Sequence, residues 1–515
     1  MTHDNNSTRK NSTNGTTSTH SVSRRHFVKA AGASATAVGL TGCVSTGGSS
    51  GSSAGSAGTD EPVDTSEPTE TVTVSWAVGP REKNRRDAVV AALRSAGLSE
   101  NIELEMLAGS NLTDNRQSRY TQWLSSGREK PDLLQFDSGW TIPFIQREQL
   151  ANLSNVLPEE MLMDVRENYF DASLRTASHP QTGDLYGVPL FPDFPTVQYR
   201  KDLLREAGYG ESDFSTWATE SMSWAEFSQV TKQAMEANPD VQYGFSFQAN
   251  AYEGLSCCDF NEFMTSWGGA YFGNPEENLF GPIGERPVTV DEQPVVDSIR
   301  MIRTFIHGAD DPEALSSDDF AGNIAPEAVL QWTEESSRKP FTNGDAIMHR
   351  NWPYSIGING AEDAFGEDLG VMPIPYGVPA SEAKYPQTGG PVAALGGWHN
   401  ALNPNSQNKS AAVQVMRTMM KPEFQLEMFD LLGYTPPRTE LFGSDRAREV
   451  APYGRYMEQL RIAGENAIPR PVTTIWPTQS IRISRRVNES YAQERAPAAA
   501  MSQLKEELVG TEESA

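Results

Sequence analysis

Ten tryptophans, all between Trp76 and Trp476, are the densest chemical resource in this 515-residue chain. An indole offers a flat apolar face and one N–H donor. Carboxylates accept strongly from hydroxyls, and arginine donates through a planar fork. Such a set suits a solute with hydroxyls around apolar C–H faces and requires no bond-making step. Patterns for covalent or metal chemistry are missing: there is no His-Glu-x-x-His, no Gly-x-x-x-x-Gly-Lys and no calcium-loop spacing. His179, His307, His349 and His399 are scattered without metal-ligand spacing, so neither a metal nor a cofactor is expected. Gly51-Ser52-Ser53-Ala54-Gly55 matches a nucleophile elbow in letters only, because no strand precedes it and no helix follows. Cys43, Cys257 and Cys258 cannot make a disulfide framework or a four-Cys zinc site. Joining the adjacent pair would pull the intervening peptide away from ordinary disulfide geometry, which predicts free thiols.

The elements that must position a site begin near residue 70. Thr71 to Trp76 alternates with Val72, Val74 and Trp76 on one face, a strand. Arg81 to Ala96 reads as one helix stopped by Gly97. A strand over 102–107, a helix over 113–126 and a strand over 132–136 follow. This alternation predicts an α/β fold with a largely parallel sheet and helices on both faces. Ligands of such sheets lie beyond the carboxyl ends of the strands, where Asp137 and Trp140 fall.

The formal net charge is −26, which repels nucleic acid and anionic lipid, so a nucleic-acid partner is excluded. Arginines far outnumber lysines; with the acid excess, this composition resembles secreted proteins of extreme halophiles, and it speaks to solubility rather than to a ligand. No stretch approaches the roughly 18–20 apolar residues of a membrane span. Arg24-Arg25-His26-Phe27-Val28 followed by a mild apolar run to Leu40 resembles a twin-arginine export signal, and Leu40-Thr41-Gly42-Cys43 resembles a lipobox in which Cys43 takes lipid. Residues 1–42 are therefore expected to be a signal peptide. Residues 43–69, rich in Gly, Ser, Ala and Thr, are expected to be a flexible linker.

Several ordered motifs over about residues 70–510 resemble the extracytoplasmic sugar-binding proteins of ABC importers, the group with maltose- and trehalose-binding members. They are Gly183-Asp184-Leu185-Tyr186-Gly187-Val188-Pro189, Ser223-Trp224-Ala225-Glu226-Phe227, Phe341 to Met348 with Asn351-Trp352-Pro353-Tyr354, Gly396-Gly397-Trp398 and Arg470-Pro471-Val472. The resemblance implies a two-lobed periplasmic-binding-protein-like fold of type II, each lobe a mostly parallel sheet flanked by helices, with hinge crossings near Phe191, Met372 and Gly433. The lobes would be 70–191 plus 375–432, and 192–374 plus 433–510. By family position the solute would meet Asp137, Trp140, Asp193, Trp352, Tyr354, Trp398 and Arg470, with Trp267 and Glu82 behind them. Pro353 favours a turn that projects Trp352, and Arg470 sits between Pro469 and Pro471. Asp193-Phe194-Pro195 departs from the small residue and Gly that family members often carry after that aspartate. The implied protein is a monomer without catalysis. It would be lipid-anchored on the extracellular face of the membrane and would hand a carbohydrate to permease subunits of an ABC transporter. The alternatives are a non-sugar solute, or a secreted glycoside-active enzyme using paired carboxylates.

Overall fold

A computed structural model describes residues 62–110 and 113–515. The export signal, Cys43 and most of the expected linker lie outside the described residues. Among the described residues ten strands occur in chain order: β1 Val72–Val78, β2 Ile102–Ala108, β3 Leu133–Asp137, β4 Val188–Asp193, β5 Thr196–Arg200, β6 Tyr243–Ser246, β7 Ala346–Asn351, β8 Leu369–Met372, β9 Ala393–Leu402 and β10 Ala467–Pro469. One sheet has the order β10-β9-β3-β1-β2, with β4 also on β9; the other has the order β6-β7-β5-β8.

The first three strands form as their alternation demands, and β1 pairs in parallel with both β2 and β3. The helix Thr113–Ser125 buries Arg116, Tyr120 and Leu124, four residues apart, against that sheet. The single helix expected over 81–96 is two helices, Pro80–Asn84 and Arg86–Ser95, which break at Arg85 (φ −107°, ψ 20°). Pro80 starts the first where its missing N–H costs nothing. The break turns Glu82 inward, to 1% exposure, where a continuous surface helix would leave a charge outside.

Both sheets are mixed. In the second sheet only β6 and β7 run in parallel, while β5 is antiparallel to both β7 and β8, so that lobe is not the mostly parallel sheet expected. The segment after β8 stays on the second sheet's helices, with Trp224 N donating to Tyr376 O at 2.8 Å and Gly377 N to Ser266 O at 2.9 Å, before β9 enters the first sheet. Ser223 caps the helix Trp224–Ala237 by accepting from Glu226 N at 3.1 Å, which buries Trp224 against Phe227, Phe245 and Phe263. Residues 62–69, assigned by composition to the tether, instead hydrogen-bond to the body: Val63 N reaches Val156 O at 3.0 Å, and Asn101 Nδ2 reaches Pro68 O at 2.8 Å. Val63 gives that stretch an apolar anchor that average composition hides.

Cys257 and Cys258 are joined in a disulfide, which corrects the expectation of free thiols. Their Cα atoms stay 3.8 Å apart, the ordinary trans-peptide spacing, and a π-helical turn, Leu255–Asp259, houses them.

Candidate functional site

The register of β9 with β3 and β4 builds the site's first wall. Asp137 at the end of β3 lies opposite Trp398, and Asp193 at the end of β4 lies opposite Gly396. Both acids thus stand at carboxyl ends of strands in one sheet, the position such sheets give to ligands. Asp137 is fixed by Gly139 N, which donates to its Oδ1 at 2.8 Å. Behind it a buried polar row begins with Glu82, whose Oε1 accepts from Gln135 Nε2 and the Tyr434 hydroxyl. Arg116 donates to Gln135 Oε1 at 2.8 Å and covers the Trp398 ring at 4.0 Å.

The second sheet supplies the opposite wall through β7. Arg350 on that strand is fully buried and gripped by Glu262 through two 2.7 Å bonds, with Asp259 at 3.1 Å. The chain then turns at Pro353, and the Trp352 ring lies 4.7 Å from the Arg350 guanidinium. A side chain at Gly396 would come within 2.8 Å of that indole, so the missing Cβ is what lets the ring lie on β9 beside Asp193. Arg470 crosses between the walls, its Nη1 2.9 Å from Glu253 Oε1 and 3.1 Å from Asp137 Oδ1. Tyr354 donates to Glu335 at 2.8 Å and carries Arg81 over its ring at 4.6 Å.

Charge placement is uneven. The Asp193 carboxylate is half-buried and has no hydrogen bond or ion pair among the described residues, and loss of water pushes it up to about 7 against the opposing pull of Arg81 and Arg350. Burial also raises Asp137 and Glu253, with Arg470 opposing in both. His349 and His399 are buried and held neutral, each pushed down to about 3. Among the described residues no His, Cys, Asp and Glu group could hold a metal ion, and no helix is long and apolar enough to cross a membrane.

Asp137, Asp193, Trp352, Tyr354 and Arg470 therefore come together. Glu82 stands one row behind them, tied up by Gln135 and Tyr434. Trp398 is half-buried under Arg116, and Trp140 is 1% exposed in a nest of Tyr120, Phe136 and Trp398 rings. Trp267 belongs to the core behind the second sheet, stacked on Phe320 with its Nε1 3.3 Å from Met301 Sδ. Sequence reasoning missed Glu253, Arg350 and Arg81, and quoted Gly396 within a motif without giving it a role at the site. Of these, only the glycine preceding Gly397-Trp398 carried a signal, a backbone that lets a ring approach. A cavity of about 420 Å³ adjoins the cluster, lined by Arg81, Asn84, Tyr354, Ile358, Asp430 and Tyr453.

Two mixed sheets, strand-end acids and an indole between them define a ligand-capturing protein of two lobes. Residues 113–448 match the profile of the bacterial extracellular solute-binding proteins, and the chain belongs to that family. A probable ABC transporter-binding protein of Deinococcus radiodurans is 27% identical over 362 residues, 70% of this chain and 74% of that one. Among solved structures, maltose-bound MalE3 of T. maritima superposes with a TM-score of 0.67 at 24% identity, covering 85% of this chain and 99% of its own. The GacH receptor of Streptomyces glaucescens, solved unliganded and with acarbose, gives 0.64 at 17% identity over 85% and 99%. The cyclic alpha-maltosyl-1,6-maltose binding protein of Arthrobacter globiformis gives 0.61 at 17% identity over 86% and 100%. These likenesses establish the two-lobed periplasmic binding fold.

Proposed function

We propose that this protein captures a sugar, mono- or oligosaccharide, outside the cell and delivers it to the permease subunits of an ABC importer without chemical change. The observation that carries the reading is Asp193: a half-buried carboxylate with no hydrogen-bond donor to it among the described residues, set beside Trp352 where both meet Gly396. A hydroxyl supplies the missing donor and a pyranose C–H face covers the indole. Glu253, Asp137 and Arg470 satisfy one another across the walls and offer spare lone pairs and N–H groups to further hydroxyls. The solute docks on one wall, the halves close over it, and the closed form is what the permease engages. The lobes are 70–191 plus 375–432, and 192–374 plus 433–510. The chain acts as a monomer, tethered by lipid on Cys43 to the extracellular face of the membrane after twin-arginine export.

The maltose held by MalE3 and the cyclic alpha-maltosyl-1,6-maltose bound by the Arthrobacter protein agree with this reading, as does the Deinococcus relative, a probable ABC transporter-binding protein. Thermal unfolding of the purified protein in high salt against maltose, trehalose, maltotriose and a polyol tests it. A ligand that binds only the folded state raises the midpoint. Midpoints unchanged across the whole panel refute a sugar ligand.

A further inference from the structure

Three of the four acids that grip the site's two buried arginines, all but Asp137, share one short segment, and the disulfide sits inside it. Glu253, just upstream of the π-helical turn, accepts from Arg470 at 2.9 Å. Asp259, the last residue of the turn, pairs with Arg350 at 3.1 Å, and Glu262 takes the same guanidinium further along. Cys257–Cys258 closes its ring between them. The turn is tied to the second lobe at both ends: Tyr271 OH donates to Ser256 O at 2.6 Å, and Gln248 N donates to Asp259 Oδ1 at 3.1 Å. A π turn carries one residue more than the α form. Relaxing it to α rotates whatever lies upstream by about 100° around the axis, one step of the 3.6-residue repeat. Upstream lies Glu253, while Asp259 at the turn's end and Glu262 in the helix that follows keep their hold on Arg350.

We propose that the Cys257–Cys258 disulfide is a redox-sensitive control on solute affinity. Closed, it holds the turn in the π form with Glu253 on Arg470. Reduced to two thiols, it frees the turn to relax, withdraws Glu253 from the site and weakens binding. The reductant is an external dithiol. Its thiolate attacks one cysteine sulfur, forming a mixed disulfide and releasing the other cysteine as a thiolate that takes up a proton. The dithiol's second sulfur then displaces the protein, leaving two protein thiols and a cyclic disulfide as the oxidised product. Cys257 and Cys258 are 4% and 2% exposed, so attack follows opening of the turn. The affinity readout rests on the sugar reading above, whereas the movement of the turn does not.

The purified protein is titrated with maltotriose before and after dithiothreitol, with mass spectrometry confirming the gain of two hydrogens. The expected result is about tenfold weaker binding on reduction, an ordinary coupling between sites, regained on reoxidation. Cys257→Ser with Cys258→Ser should bind weakly at all times. Glu253→Gln should bind weakly while oxidised and show no further response to reduction. Unchanged affinity in the fully reduced protein overturns the proposal. Amide hydrogen exchange over 253–262 supplies a readout without ligand: it should quicken on reduction. Unchanged exchange overturns the proposal whether or not a sugar binds, and quickened exchange in a protein that responds to no sugar of the panel above supports the redox-driven movement of the turn while refuting the sugar reading.

Discussion

Trp352 and Asp193 do different work at one point of contact, the backbone of Gly396. Trp352→Ala removes the stacking face and is expected to weaken sugar binding by about 1–3 kcal/mol, the value of a large buried side chain. Calorimetric titration checks this, and unchanged affinity removes Trp352 from the site. Asp193 gives the pH dependence its sign. Because burial raises this carboxyl to about 7, the folded protein holds the proton more tightly than the unfolded chain. Its contribution to stability is full below the unfolded value near 3.8 and is lost as pH rises through about 7. A ligand hydroxyl donates to the ionised form, so affinity should rise from pH 6 to 8 with proton release on binding. Asp193→Asn should show neither effect in titrations run in buffers of differing ionisation enthalpy. Trp352 was legible because proline follows it, and Asp137 because it ends a strand. Arg350 was not, since a charge inside an apolar run gives no sign of whether acids from distant residues meet it.

At the scale of elements, β7 depends on the helix carrying Asp259 and Glu262. Arg350 is fully buried with both acids, and removing one partner leaves an uncompensated charge. Glu262→Ala is therefore expected to cost about 3–5 kcal/mol, as in other broken buried pairs. The midpoint of urea unfolding reads this directly, and a loss under about 1 kcal/mol would assign the pair a surface-like role. The first three strands and the helix between β2 and β3 were legible because their burial follows simple periods of two and 3.6. The break at Arg85 and the antiparallel β5 were not, because each is decided by tertiary pairing rather than by local pattern. The turn holding the disulfide was likewise hidden, since adjacency of two cysteines does not reveal the backbone that will carry them.

For the whole molecule, the buried histidines set the acid limit. His349 and His399 are kept neutral with values pushed down to about 3 by burial. The stability they contribute is present above the unfolded value near 6.5 and is lost as pH falls from there toward 3. His399→Gln should lose less stability than the unsubstituted protein as pH falls across that window, where Asp193 contributes with the opposite sign; identical pH dependence of the melting point in the two proteins would take His399 out of the acid response. The two-lobed architecture was legible from the order of motifs along the chain, while the burial of Trp140 and Trp267 was not, because indoles serve cores and sites alike. A sugar should be captured reversibly between Asp193, Trp352 and Arg470 with no bond made or broken. Isothermal titration of the purified protein with maltose and maltotriose addresses it most directly. Saturable heat at one site per chain is expected, with a flat baseline after saturation; no heat at all, or a steady heat flow that continues until the sugar is consumed, would rule out simple capture.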